Sequence, residues 1–175
     1  MTSASIVRPQ SDEHAPFYGK YISRVPDGDL VSVLREQLVE TVTLLRGAAW
    51  DRADFAYAPG KWTIKEVVGH MIDTERVMGF RALWFARQDT SDLPGFDENA
   101  WAMHADATNR RLGDLLEEFE VVRASTIQLA THLSPEALAR RGRASGNSVS
   151  VRALFYIIAG HERHHVGLLR ERYLL

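Results

Sequence analysis

The chain contains no cysteine, which excludes disulfides, thiolate metal ligands and a cysteine nucleophile; a thiol in its chemistry has to arrive on another molecule. Any metal ligands must be nitrogen or oxygen donors. It also lacks a strong charge of either sign, with a formal net charge of -2, and so offers no general surface for nucleic acid or anionic membrane. No apolar run approaches the length of a membrane span, and the N-terminal residues lack a basic stretch followed by an apolar one. The expectation is a cytoplasmic protein with a small-molecule substrate. At 175 residues and 45% hydrophobic content, the chain is long enough for one well-buried core, and a single domain over 1–175 is expected.

Residues 1–26, with Pro9, Pro16, Gly19 and Pro26 and little periodicity, read as an extended arm. Asp27-Gly28-Asp29 supplies N-cap chemistry ahead of Leu30, Val33, Leu34, Leu38, Val42 and Leu45, whose three- and four-residue steps predict a helix over 30–48. Thr63 and Glu66 form a capping box that opens a second helix, running to about Arg87. From Gln88 to Asp106 the chain reads as a long loop in which Phe96 and Trp101 pack back onto the body. A third helix starts near Thr108 or Asn109, with Leu112, Leu115, Leu116, Phe119, Val122, Ile127 and Leu129 as its core. Ser134-Pro135-Glu136 starts a short extra helix. Arg141 to Ser150 is polar, and Val151 to about Arg172 forms the last helix, capped by Ser148 or Ser150. With no convincing strand, the pattern predicts an all-α, antiparallel four-helix bundle.

On that last helix Leu154, Ile157, Ile158, His161, His165 and Leu168 share one face, so two histidines interrupt an apolar stripe. A spacing of four places them about one turn apart, close enough to share an ion. His70, in the second turn of the second helix, is the candidate third ligand. His164 competes with His165 by spacing but lies towards the edge of the stripe. Structural hydrogen bonding is the competing account of the pair. The segment His161-Glu162-Arg163-His164-His165 compares with a zincin helix, in which the glutamate is the general base, but no downstream ligand follows it. Candidates for catalytic roles are Glu66 and Asp73, flanking His70 at minus four and plus three, together with Asp97 in the long loop, Glu162 and His164. His14, His104 and His132 read as histidines without special chemistry, and Trp62 as an anchor at the start of its helix.

Three stretches, Pro59-Gly60-Lys61-Trp62-Thr63-Ile64-Lys65-Glu66-Val67-Val68-Gly69-His70, Pro94-Gly95-Phe96-Asp97 and Gly160-His161-Glu162-Arg163-His164-His165, resemble the DinB-like superfamily, which includes YfiT-like metal-dependent hydrolases and bacillithiol S-transferases. Tyr21-Ile22-Ser23-Arg24-Val25-Pro26-Asp27-Gly28-Asp29 is similar to the approach to that family's first helix. The resemblance implies a four-helix bundle holding a divalent ion on His70, His161 and His165. Zinc and nickel are the common occupants it implies, with iron or manganese as others, and it implies a homodimer. One fold and one triad serve several chemistries, so the reaction has to be argued from the site. Three neutral imidazoles with open coordination positions suit activation of a thiol or a water. The first expectation is transfer of a low-molecular-weight thiol to an electrophile; a metal-dependent hydrolase and a non-catalytic, stress-related binding protein are the alternatives.

Overall fold

Thr63 accepts a hydrogen bond from Glu66 N while the Glu66 carboxylate accepts one from Thr63 N at 2.7 Å; together they satisfy two of the amides a helix start leaves unpaired. This box opens the helix that carries His70. The computed structural model describes residues 6–48, 50–89 and 91–175. In chain order its helices are α1 (Gly19–Ile22), α2 (Leu30–Ala48), α3 (Ile64–Ala86), α4 (Glu98–His104), α5 (Leu112–Thr131), α6 (Pro135–Ala139) and α7 (Val151–Arg172). A two-stranded antiparallel hairpin, β1 (Arg141–Ala144) and β2 (Asn147–Ser150), precedes α7.

The expected helical bundle is present, built from α2, α3, α5 and α7. Its apolar core forms two clusters. One gathers Leu34 of α2, Met78 and Phe85 of α3, Ile127 of α5 and Leu154 to Ala159 of α7. The other gathers Val42 and Leu45 of α2, Ile64, Val67, Val68, Met71 and Ile72 of α3, Leu112, Leu115, Leu116, Phe119 and Val122 of α5, and Leu169 of α7. The order in which each helix passes the clusters gives its direction. α3 and α7 run antiparallel, as do α2 and α3, whereas α3 and α5 run the same way. The connection over residues 87–111 therefore returns along the bundle. Between the clusters lies a polar layer of buried Gln37, Thr41, Glu75, Arg123, His161, Glu162 and His165.

Three expectations are corrected. The arm is not simply extended: its first five residues lie outside the described part, but 3-10 turns at Ser11–Glu13 and Pro16–Tyr18 lead directly into α1. The connection after α3 is not structureless, because Asp97 caps α4 by accepting from Asn99 N and Ala100 N. The polar stretch before α7 is a hairpin. Its strands are too short and polar to show alternation, and the signal is in the turn, where Ser145 and Gly146 both adopt positive φ (53° and 77°), the geometry of tight hairpin turns. The hairpin edge pairs with the returning connection through Leu93, whose N donates to Arg143 O and whose carbonyl accepts from Ser145 N, both at 3.0 Å. Gly142 is required there, since a Cβ would meet the Phe85 ring at 2.1 Å.

The arm is held by a buried carboxylate. Glu13 accepts from Ser150 Oγ at 2.8 Å and from Arg152 Nε at 2.6 Å, and Ser150 Oγ in turn accepts from Ala153 N as the N-cap of α7. The Arg152 hydrogen bond, more than any other contact, pulls the Glu13 carboxyl down to about 2. A carboxylate with a depressed folded-state pKa stabilises the fold above its ordinary value of 4.5 and loses that contribution as pH falls towards 2. The contribution is about 3 kcal/mol at most. Glu13→Gln should therefore destabilise the protein at pH 7, and the difference from wild type in a urea titration should shrink as pH falls from 5 to 2. A pH-independent difference would contradict this account.

Candidate metal centre

On α7 the stripe that packs into the bundle brings His161 and His165 inward, each 7% exposed. α3 presents His70, half-buried, from the opposite side of the α3–α7 contact. The Nε2 atom of His161 lies 3.0 Å from that of His70 and 3.1 Å from that of His165. One ring nitrogen from each residue falls within 4.8 Å of the others. His164 is excluded from this convergence and instead packs against the rings of Tyr21 and His165.

Aromatic neighbours fix the rings. The indole of Trp62 lies against His70, with centroids 4.7 Å apart, and Tyr173 holds the Trp62 backbone by donating its hydroxyl to Trp62 O at 2.6 Å. Trp62 thus anchors the start of α3, as its position suggests, and also backs a histidine. Tyr21 of α1 sets its edge against His161 at 5.4 Å. That contact depends on Gly160, where a Cβ would meet Tyr21 O at 2.0 Å: α1 and α7 touch backbone to backbone one residue before the first histidine of the pair.

Burial dominates the electrostatics of the triad. It lowers His70 to about 4 and holds His161 and His165 well below their ordinary range, with repulsion among the imidazoles adding to the effect. All three are neutral at physiological pH and can present lone pairs. Neutral imidazoles facing one another across 3.0–3.1 Å cannot all hydrogen-bond mutually, because each Nε2 is either a donor or an acceptor. A tetrahedral ion bound at 2.0–2.1 Å would hold its ligand nitrogens about 3.3 Å apart. The donor set, its neutrality and its spacing therefore fit a divalent cation.

The polar layer supports the pair from behind. Glu162 follows His161, but a helix turns by about 100° per residue, and its carboxylate is engaged on the far side. It accepts from Thr41 Oγ1 at 2.6 Å, Gln37 Nε2 at 3.0 Å and Arg123 Nη1 at 2.7 Å. Arg123, fully buried, also donates through Nε and Nη2 to Glu75 at 2.8 and 2.7 Å and through Nη1 to Leu34 O at 3.1 Å. Two carboxylates share one guanidinium. Burial pushes the Glu162 carboxyl up, while the paired carboxylates keep Arg123 charged.

The other catalytic candidates are placed as follows. Glu66 is committed to its capping box, and Asp97 to the start of α4. Asp73, whose carboxyl burial pushes up, lines a surface groove with Trp101 and His104. His104 and His132 are exposed, each with Nδ1 on the carbonyl four residues earlier, and His14 has Nδ1 on Ala15 O.

Two cavities reach the triad. The first, of about 100 Å³, is lined by His70 and His161 together with Thr74, Tyr21, Phe96 and Glu98 among others. The second, of about 240 Å³, shares no lining residue with it and is lined by His165, Trp62, Lys61, Tyr57 and Asn99 among others. Sequence reasoning missed Thr74, Glu98, Tyr21 and Arg123 as neighbours of the site. Thr74 had a signal, being one helical turn beyond His70, and so did Arg123, a charge set among the apolar positions of α5. Glu98 had none, because its place depends on how the returning connection folds over the site.

A helical bundle with three inward histidines on two antiparallel helices defines this chain as a protein with a candidate three-histidine metal centre. It belongs to the DinB superfamily, whose sequence model matches residues 33–169. A protein of Oceanobacillus iheyensis provisionally named a metal-dependent hydrolase is 25% identical over 141 residues, covering 80% of this chain and 79% of its own. One of Geobacillus kaustophilus with the same provisional name is 26% identical over 135 residues, covering 74% and 76%. Among solved structures, YfiT from Bacillus subtilis, described as a probable metal-dependent hydrolase with an unusual four-helix bundle topology, superposes with a TM-score of 0.73 at 18% identity. The match covers 96% of this chain and 92% of YfiT. No helix among the described residues is long and apolar enough to cross a membrane.

Proposed function

We propose that this protein is an enzyme acting on a small molecule with a divalent ion, zinc or nickel foremost, held by His70, His161 and His165, and that its reaction is transfer of a low-molecular-weight thiol to an electrophile. The observation that carries the reading is the convergence of three uncharged, largely buried imidazoles on one point between the two apolar clusters of the bundle. When bound, the ion would supply Lewis acidity that lowers the pKa of a thiol or water at an open position.

The chain supplies the rest. Its three ligands add no negative charge, and Trp62 and Tyr21 hold two of the rings in place. Two separate cavities reaching different histidines give room for two organic reactants, which favours group transfer over hydrolysis, where water is the second reactant. The carboxylates of Glu66, Asp97 and Glu162 are committed elsewhere. That suits a thiol, whose ordinary pKa of about 8.5 needs far less help from a base than water does. Hydrolysis is the second reading, supported by the names of the Oceanobacillus and Geobacillus relatives.

The test is turnover of metal-loaded protein against panels of thiols with electrophiles, and separately against esters and amides without thiol. Metal-dependent thiol consumption is the expected result. Hydrolysis that ignores thiol replaces the first reading with the second. Stoichiometric metal with no turnover in either panel refutes the enzyme and indicates a binding protein.

A further inference from the structure

The second cavity meets the triad at His165, and one of its walls is built on a turn. Lys61 N donates to Ala58 O at 3.2 Å across Pro59 and Gly60, and Gly60 has a φ of 73°. Proline followed by a residue of positive φ is the signature of a type II turn. The turn fixes the Lys61 backbone directly ahead of Trp62, whose indole backs His70. Both residues line the cavity, with Tyr57, Asn99 and His165.

Lys61 is the charged residue in that lining. The chain's other lysines are engaged: Lys65 Nζ pairs with Asp54 and donates to Thr108 O, both at 2.6 Å, and Lys20 Nζ lies over the Phe17 and Tyr21 rings. Lys61 is exposed and, among the described residues, has no acidic partner. The first cavity carries the opposite sign, because its charged lining residue is Glu98. Two consecutive residues of α4 thus part company, Glu98 lining one cavity and Asn99, with an uncharged amide, the other. An anionic reactant is drawn to the second cavity and repelled from the first. The second cavity's volume of about 240 Å³ exceeds the roughly 150 Å³ that holds a benzene ring, so a small organic thiol fits there whole.

We infer that the second cavity is the thiol subsite and that it selects a low-molecular-weight thiol carrying a carboxylate, which pairs with the Lys61 ammonium. The inference rests on the thiol-transfer reading. Held by its carboxylate at the Lys61 wall, the thiol presents its sulfur on the His165 side of the triad and gives up one proton to solvent. The electrophile then approaches from the His70 and His161 side, so the two reactants do not compete for one space. Lys61 sets specificity and touches no reacting atom.

The experiment titrates nickel-loaded protein with N-acetylcysteine and with N-acetylcysteinamide, which differ in the carboxylate, and follows the near-ultraviolet thiolate-to-nickel absorption. Wild type, Lys61→Met and Lys61→Arg are compared at equal nickel content. Wild type should bind the acid about fivefold more tightly relative to the amide than Lys61→Met does. Lys61→Arg should restore that preference, and raising the salt concentration should shrink it. The same relative affinity for acid and amide in wild type and Lys61→Met overturns the assignment to Lys61, while the thiol-transfer reading stands as long as both thiols produce the absorption. No absorption with either thiol overturns the subsite and that reading together. Thiol consumption with an added electrophile is recorded on the same samples. Lys61-dependent preference without consumption upholds the subsite and refutes the reaction.

Discussion

His161→Ala should abolish stoichiometric metal binding. Its Nε2 lies within 3.1 Å of both other ring nitrogens, so its removal leaves two ligands on different helices with the central position missing. Loss of a hydrogen-bonding partner behind a ligand already costs 10–100-fold in metal affinity, and loss of a ligand itself should cost at least about 100-fold. Metal present at 1,000 times its dissociation constant stabilises the folded state by about 4 kcal/mol. Wild type prepared without a histidine tag should therefore show near-equimolar metal by elemental analysis and a Tm that drops on chelation. The variant should show neither. Comparing both proteins after chelation separates the metal effect from the small cavity that the substitution creates. A wild-type Tm indifferent to chelator, with no metal found, would establish the histidines as structural.

The second large effect is expected at a residue that touches no candidate ligand. Arg123→Met removes the single cation shared by Glu75 and Glu162, leaving two buried carboxylates uncompensated. Breaking a buried charge network on one side typically costs 3–5 kcal/mol, which for a chain of this length corresponds to a fall of roughly 10–15 °C in Tm. Replacing all three members, Glu75→Met, Arg123→Met and Glu162→Met together, should recover most of that loss, because no charge is then stranded. Metal retention should weaken in the single variant as well. Glu162 and the Ala159 carbonyl are what tie the His161 turn of α7 to α2, through Thr41 and Gln37. A Tm for Arg123→Met within about 2 °C of wild type would show that the network carries little of the fold.

Glu162 illustrates how far the sequence reaches. Its place beside His161 invites comparison with a zincin glutamate, and nothing along the chain says otherwise. The deciding fact is a partner 39 positions away, Arg123, which meets it because α5 and α7 both pack on α2 and α3. Asp97 and Glu66 are different. Their roles are local, set by amides two or three residues on, and cap chemistry makes them legible without a fold. The hairpin before α7 lies between these cases: its turn is written in Ser145 and Gly146, but its strands persist because Leu93 and Phe85 pack against them.

By itself the sequence determined the four long helices and the caps of α3 and α7, since hydrophobic periodicity and capping act within a few residues; α5 starts at Leu112 with no side-chain cap, later than the expected Thr108 or Asn109, because residues 107–109 form a separate 3-10 turn. It also determined that His161 and His165 share a face, because helical geometry fixes that spacing. Their convergence with His70 was implied by resemblance to the DinB-like family, and it required α3 and α7 to run antiparallel with the two histidine turns at one level. Only the tertiary structure decided the neighbours of the site: the edge of Tyr21 against His161, Thr74 and Glu98 beside His70 and His161 in the lining of one cavity, and the guanidinium that takes Glu162 out of the chemistry. Each depends on contacts between segments far apart in the chain, where packing rather than local propensity sets which groups meet.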